Sequence, residues 1–269
     1  MKVSIIIPAY NVEKYIRKCL NSAIKQTFEE TQYEIIVIND CSKDQTLKIL
    51  KKHKSKFKNF NIITNKKTKG PGLSRNIGIK HSSGKYIFFL DGDDFIRKDT
   101  ISKLYKKAIK LNADVVGYNF TKILKSNKKI SYCRIDINKI TLIKKKLIKN
   151  FLYGEMDGSV IYSFIKRDII LKNKIYFKKG LHEDILFIFK VYFFSKKIAK
   201  YNKNFYYKID RSSSILNTFN SSRIIDLINA FKDCFLFLKK RNKIMAKKYF
   251  HFYIRGLVGC IGKFLMENL

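Results

Sequence analysis

The sequence predicts an α/β domain built on a mostly parallel sheet. Strand-like and helix-like stretches alternate as β-α-β-α-β-α-β over roughly the first 90 positions, and such alternation yields parallel strands joined by right-handed crossovers. The strands also read as continuous apolar runs, the mark of a sheet covered on both faces. One of them, Ile87-Phe88-Phe89-Leu90, runs straight into Asp91-Gly92-Asp93-Asp94.

The elements follow in order. Val3-Ser4-Ile5-Ile6-Ile7 is a β-branched strand that stops at Pro8-Ala9-Tyr10-Asn11. From about Val12, the residues Ile16, Cys19, Leu20, Ala23 and Thr27 recur at helical spacing. Glu34 to Ile38 forms the second strand and ends in Asn39-Asp40-Cys41-Ser42, where Ser42 can cap a helix carrying Leu47, Leu50 and His53. Asn61 to Thr64 is a short third strand. The glycine-rich Gly70-Pro71-Gly72 then enters a helix through Ser74-Arg75-Asn76-Ile77-Gly78, which Ser82-Ser83-Gly84 breaks. After the acidic tetrad, Ile101, Leu104, Tyr105 and Ala108 mark a helix, and Asp114 to Tyr118 another strand. A hairpin is expected near Ile130 to Ile135, a basic helix over Leu142 to Phe151, and a strand over Ser159 to Ile165. Gly180-Leu181-His182-Glu183-Asp184 opens an apolar helix, and the pattern is helical from about Arg223 to the end.

Three strands therefore end in polar loops: Pro8 to Asn11, Asn39 to Ser42, and Asp91 to Asp94. In a parallel sheet these loops share one edge and can form one pocket. Clustered carboxylates repel one another unless a cation or many donors sit among them, and hard oxygens favour Mg²⁺ or Mn²⁺ beside phosphates. Asp40 suits a pyrimidine ring NH, Asp91 a ribose hydroxyl and Asp93 a metal on a diphosphate, while Arg75 can meet phosphate or base oxygens. Blander readings stand beside these: a surface turn for the tetrad, caps for Asp40 and Ser42, a solvated helix position for Arg75. No G-x-G-x-x-G follows the first strand and no GxxxxGK[ST] occurs, which sets aside dinucleotide-binding and P-loop folds.

Val3 to Asn11, Ile36 to Asp44, Gly72 to Gly78 and Phe89 to Asp94 together resemble the family 2 glycosyltransferases of GT-A fold. The resemblance is close over about the first 120 residues and resumes at His182-Glu183-Asp184. It implies a nucleotide-sugar donor, a divalent metal and inversion at the anomeric carbon. Residue by residue, Asp40 matches the base-binding acid, Arg75 the donor-binding arginine, and Asp91 and Asp93 the acids that bind ribose and metal. Pro8, Ala9, Tyr10, Asn11 and Gly92 fall among the donor-binding motifs, and Asp184 matches the general base of a Glu183–Asp184 pair. Two positions depart from the pattern, since Asn39 and Cys41 stand where the family usually has Asp and Gly. On the residues alone, acids at a helix start also serve stability, because the helix dipole favours them there.

Composition bounds the rest. With 269 residues and 46% hydrophobic content the chain can bury a large core. It holds 57 Lys and Arg against 21 Asp and Glu, a net charge of +36. Such a field attracts nucleic acid, anionic lipid or phosphorylated substrates, although A-and-T-rich codons would also enrich Lys, Ile, Asn, Phe and Tyr. Five scattered cysteines without a CxxC pair point to reduced thiols in the cytosol. No signal peptide and no run of about 18 uncharged apolar residues is found, so no transmembrane helix is expected.

The expected organisation is a GT-A catalytic domain over 1–215, with nucleotide-sugar binding in 1–120 and the acceptor side in 121–215, then a basic helical extension over 216–269. The expected partners are a UDP-sugar and a glycan or lipid-linked glycan such as lipooligosaccharide or capsule, with Mn²⁺ or Mg²⁺ and no nucleic acid. The expected location is cytoplasmic, peripheral on the inner membrane. Phe231, Phe235, Leu238 and Met245, interleaved with lysines, suggest an interfacial helix; the alternative is a helix packed on the domain. A sugar nucleotidyltransferase is the second enzymatic reading, though Pro8 to Asn11 is unlike the glycine-rich loop it requires. A basic binder of membrane or nucleic acid is the third, and a carboxylate-lined pocket opposes a polyanion there.

Overall fold

A computed structural model describes residues 1–132, 144–153, 158–180, 182–210 and 221–266. The first half follows the alternating pattern: β1 (Val3–Ala9), α1 (Glu13–Ile24), β2 (Tyr33–Asn39), α2 (Thr46–Lys54), β3 (Phe60–Thr64), α3 (Pro71–His81) and β4 (Tyr86–Phe89). Then come β5 (Phe95–Ile96), α4 (Thr100–Lys110), β6 (Val115–Ile123), β7 (Lys129–Tyr132), α5 (Lys144–Leu152), β8 (Ser163–Lys166) and α6 (Arg167–Lys172). The chain continues through α7 (Glu183–Phe194), β9 (Ile198–Ile209), α8 (Ser221–Arg241) and α9 (Lys243–Met266).

Among the described residues the strands form one sheet in the order β3-β2-β1-β4-β8-β6-β9-β5, with β7 paired to β6. The first four strands are parallel, as the alternation requires. β8 then enters antiparallel between β4 and β6, so the sheet is mixed beyond β4. Its parallel half reverses strand order between β1 and β4, which opens a crevice at their carboxyl ends. Both strands are buried along their full length.

Several local expectations shift. The hairpin forms as β6 and β7, with residues 133–135 outside the described set. Residues 142–143 of the basic helix, Leu181 and the boundary at 215/216 also lie outside it. The strand expected from Ser159 begins as a short 3-10 turn, Val160–Tyr162, and becomes β8 only at Ser163. Ser42 caps no helix: α2 starts at Thr46, whose backbone N–H donates to Asp44 Oδ1, while Ser42 Oγ accepts from Asn11 N.

Phe231 and Leu238 are buried and Phe235 and Met245 half-buried, so these residues pack inward rather than forming an outward apolar face. Phe235 stacks on Tyr253 of α9, joining the two C-terminal helices.

Candidate active site

The crevice is knitted from the ends of β1 and β2. Asn11 adopts a left-handed φ of 49° and its side-chain oxygen accepts from Lys43 N at 2.8 Å. Pro8 and Ala9 are buried at the strand end, whereas Tyr10 projects into solvent. Asp40 is buried and committed to the neighbouring loop. Its carboxylate accepts from Asn65 Nδ2 at 2.7 Å, Lys69 N at 3.0 Å and Gly70 N at 2.8 Å. Gly70 needs this hold, since it turns through φ +91° to start α3 at Pro71.

Arg75, one turn into α3, is the centre of the site. Its side chain is only 5% exposed, and three carboxylates surround it. Nη2 donates to Asp91 Oδ1 at 2.8 Å, and Nη1 donates to Glu183 Oε1 at 3.1 Å and Asp184 Oδ1 at 3.0 Å. A Cβ on Gly72 would stand 2.5 Å from Glu183 Cγ, so the starts of α3 and α7 meet at a residue without a side chain. Asp184 Oδ2 also accepts from Val160 N at 3.1 Å and Ser159 Oγ at 3.3 Å.

The electrostatics follow from burial. Glu183 is pushed up to about 7 by loss of water and by the adjacent Asp184 carboxylate. Burial also raises Asp184, against the pull of Arg75. Burial opposes the charge on Arg75, but the surrounding acids outweigh it and hold the guanidinium protonated.

The tetrad loop is anchored from β9. Tyr206 Oη donates to Asp94 Oδ2 at 2.8 Å and accepts from Asp91 N at 3.1 Å, and Ile209 N donates to Asp94 Oδ1 at 2.8 Å. Asp94 therefore fastens the loop, and Gly92 lets it pass close to the Pro8 carbonyl, 3.0 Å from where a Cβ would sit. Oxygens of Asp91, Asp93 and Asp94 lie within 4.8 Å of one another, an all-oxygen set that fits a hard divalent cation. Asp94 is the least available of the three, being 2% exposed and tied to Tyr206 and Ile209.

A model of the family described as Glycosyl transferase family 2 matches residues 4–173, more than half of the chain. The chain belongs to glycosyltransferase family 2. It is 34% identical over 212 residues to the poly(ribitol-phosphate) beta-N-acetylglucosaminyltransferase TarS of Staphylococcus aureus, covering 77% of this chain and 35% of TarS. It is 30% identical over 263 residues to the poly(ribitol-phosphate) beta-glucosyltransferase of Bacillus spizizenii, covering 91% of this chain and 39% of that one. The chain thus spans 35% and 39% of the length of these two relatives. In fold it is similar to the crystal structure of S. aureus TarS 1-349 in complex with UDP-GlcNAc, with a TM-score of 0.78 at 24% identity over 94% of this chain and 72% of that one. It is also similar to the mannosyltransferase PcManGT from Pyrobaculum calidifontis in complex with GDP-Man and Mn²⁺, with a TM-score of 0.61 at 14% identity over 86% of this chain and 63% of that one. The architecture is the GT-A fold, with α8 and α9 as its helical C-terminal extension.

The structure brings Asp91, Glu183 and Asp184 into direct contact with Arg75, and Asp93 lies beside Asp91. Asp40 stands apart from that cluster. From the sequence alone Asn65, Phe177 and Tyr206 have no role, and Ser159 appears only as the start of a strand. Asn65 was within reach of sequence reasoning, since it follows the end of β3 as Asp40 follows β2. Tyr206, in mid-strand, carries no such signal.

Proposed function

We propose that this chain is a metal-dependent inverting glycosyltransferase. It moves a hexose or N-acetylhexosamine from a UDP-sugar to a hydroxyl of a growing surface glycan. The observation that supports this best is the convergence of Asp91, Arg75, Glu183 and Asp184 at the carboxyl edge of a family 2 sheet. The UDP-GlcNAc complex of TarS supports the donor class. The two relatives from S. aureus and B. spizizenii act, by their names, on a poly(ribitol phosphate), and a net charge of +36 suits an acceptor of that anionic kind.

In this reading residues 1–120 hold the donor and 121–215 the acceptor side. Pro8 to Asn11, Asp40 and Gly92 form the nucleotide pocket, with Asp40 toward the base. Asp91 takes the ribose and Arg75 steadies the donor. Asp93 and Asp91 would hold Mn²⁺ or Mg²⁺, which would offset charge on the departing diphosphate. Asp184 accepts the proton of the acceptor hydroxyl as its oxygen bonds to the anomeric carbon and the bond to the diphosphate breaks. Glu183 and Arg75 orient Asp184. The enzyme works on the cytoplasmic side of a membrane, as a peripheral protein.

Incubation with a panel of UDP-sugars and Mn²⁺, followed by product analysis on polyol-phosphate and lipid-linked acceptors, tests the proposal. Transfer of one sugar with inverted configuration is expected. Retained configuration, or nucleotidyl transfer, defeats it.

A further inference from the structure

Helix α9 is docked in one rotational setting. Ala246, Tyr249 and Tyr253 are buried at helical spacing, and a Cβ on Gly256 would collide with the Leu152 carbonyl oxygen, so the backbone of α9 touches the end of α5. On the opposite side Ile244, Phe250, Ile254 and Val258 are 84, 50, 41 and 65% exposed. On an α-helix these four fall within a sector of about 120°. Exposed Lys247 lies inside that sector, and exposed Lys248 and Arg255 border it.

The sign of the charge is uniform. From Cys234 to Met266 the sequence holds eight Lys and Arg and no Asp or Glu. A solvated helix ordinarily mixes both signs; this one turns branched aliphatic and aromatic side chains outward among cations alone. We propose that the outward face of α9 seats in the plane of an anionic bilayer surface. Apolar side chains enter the headgroup boundary while lysines meet phosphates. No helix among the described residues is long and apolar enough to cross a membrane, so the contact is in-plane. Charge also disfavours a second copy as the occupant, because two such faces would bring cation against cation.

The contact bears on catalysis as proposed above. α9 rests on α5 and α5 on α7, the helix that begins at Glu183 and Asp184. Docking α9 therefore fixes those carboxylates at one height above the lipid, where a lipid-linked acceptor would present its hydroxyl. This placement rests on the functional reading; the membrane contact itself does not.

The chain contains no tryptophan, so Phe250→Trp introduces a single fluorophore. Its emission is expected to shift to the blue, and brominated acyl chains to quench it, with vesicles of phosphatidylcholine and phosphatidylglycerol but not of phosphatidylcholine alone. The unsubstituted chain floats with the anionic vesicles at low salt and is released at high salt. Lys248→Gln lowers the partition coefficient about five-fold, and Ile254→Asn with Val258→Ser lowers it by at least about ten-fold at an unchanged melting temperature. The proposal is overturned if the chain floats equally with neutral vesicles or with neither, or if the double variant floats like the parent. A blue-shifted reporter without lipid, in a chain that sediments as an oligomer or co-sediments with an acidic protein, overturns it too. Flotation is read without donor, so it supports or defeats the contact whatever the transfer assay gives.

Discussion

Arg75 Nη1 lies 3.0 Å from Asp184 Oδ1, joining residues 109 positions apart and pinning the start of α3 to the start of α7. The same guanidinium reaches Asp91 and Glu183. One buried cation thus serves three carboxylates. Such a pair contributes little net stability over an apolar replacement of both partners, but losing one partner strands the charge on the other.

Arg75→Met is therefore expected to destabilise the fold by about 3–5 kcal/mol at neutral pH. The loss shrinks in mild acid, because Glu183 and Asp184 take up protons and no longer need the cation. Denaturant titrations of parent and variant at the two pH values check this. An equal loss at both would mean that packing on Phe177, whose ring centroid lies 5.6 Å from the guanidinium carbon, dominates instead.

Glu183 gives stability a pH signature. Its folded value of about 7 lies above the ordinary 4.5, so the folded chain holds this proton more tightly than the unfolded one. Its contribution is then full below about pH 4.5 and is lost as pH rises toward 7. The difference in unfolding midpoint between the parent chain and Glu183→Gln should move in favour of the variant across that window. A constant difference would show that Glu183 is ionised throughout.

Much of this was legible in the sequence, for definite reasons. Apolar runs that end in polar residues locate strand ends, and parallel strands put those ends on one edge; this finds Asn11, Asp40 and Asp91 from local pattern. Glu183 and Asp184 came from the family resemblance, since a helix start alone gives acids no direction. What brings them to Arg75 is the approach of two helices at Gly72, a contact between chain segments more than a hundred residues apart. The mixed half of the sheet was hidden for a similar reason, because β8 inserts between β4 and β6 out of sequence order. The outward face of α9 was missed through phase: periodicity shows that a helix has two faces, and only packing at Gly256 decides which one is covered.

Cys41 shows where a departure from the family pattern falls. Its φ is +63°, a left-handed conformation in which glycine carries no penalty. A side chain there costs about 1–2 kcal/mol, offset by about 0.5–1 kcal/mol for the extra freedom glycine loses on folding. Cys41→Gly should raise stability by about 0.5–1 kcal/mol, read as melting temperature. Cys41→Ala keeps the strain and should give no gain; an equal gain from alanine would point to the thiol instead.

In the proposed mechanism metal dependence rests on Asp91 and Asp93, whose carboxylate oxygens lie within 4.8 Å of each other. EDTA should abolish transfer and added Mn²⁺ restore it. Asp93→Asn should raise the Mn²⁺ concentration for half-maximal activity by about ten-fold or more, the usual scale for a lost charge contact. Undiminished transfer in EDTA defeats the metal assignment.

The most exposed prediction concerns Asp184. If it is the base, Asp184→Asn should leave UDP binding near normal while transfer collapses, because loss of a general base costs about 10²–10⁴-fold in rate. The structure adds a stability cost. Asp184 accepts from Arg75 on one oxygen and from Val160 N and Ser159 Oγ on the other, and an amide has only one oxygen to offer. Its NH₂ must face a donor, either the guanidinium or the Val160 N–H, even where the Ser159 hydroxyl turns to accept from it. A loss of about 1–3 kcal/mol is expected. Rate must therefore be read per folded molecule, with UDP titrated calorimetrically in the presence of Mn²⁺ on the same preparation. A purely structural Asp184 would show the stability loss with ordinary turnover per folded molecule. That result would pass the role to Glu183, which shares Arg75 but not the bonds to Ser159 and Val160.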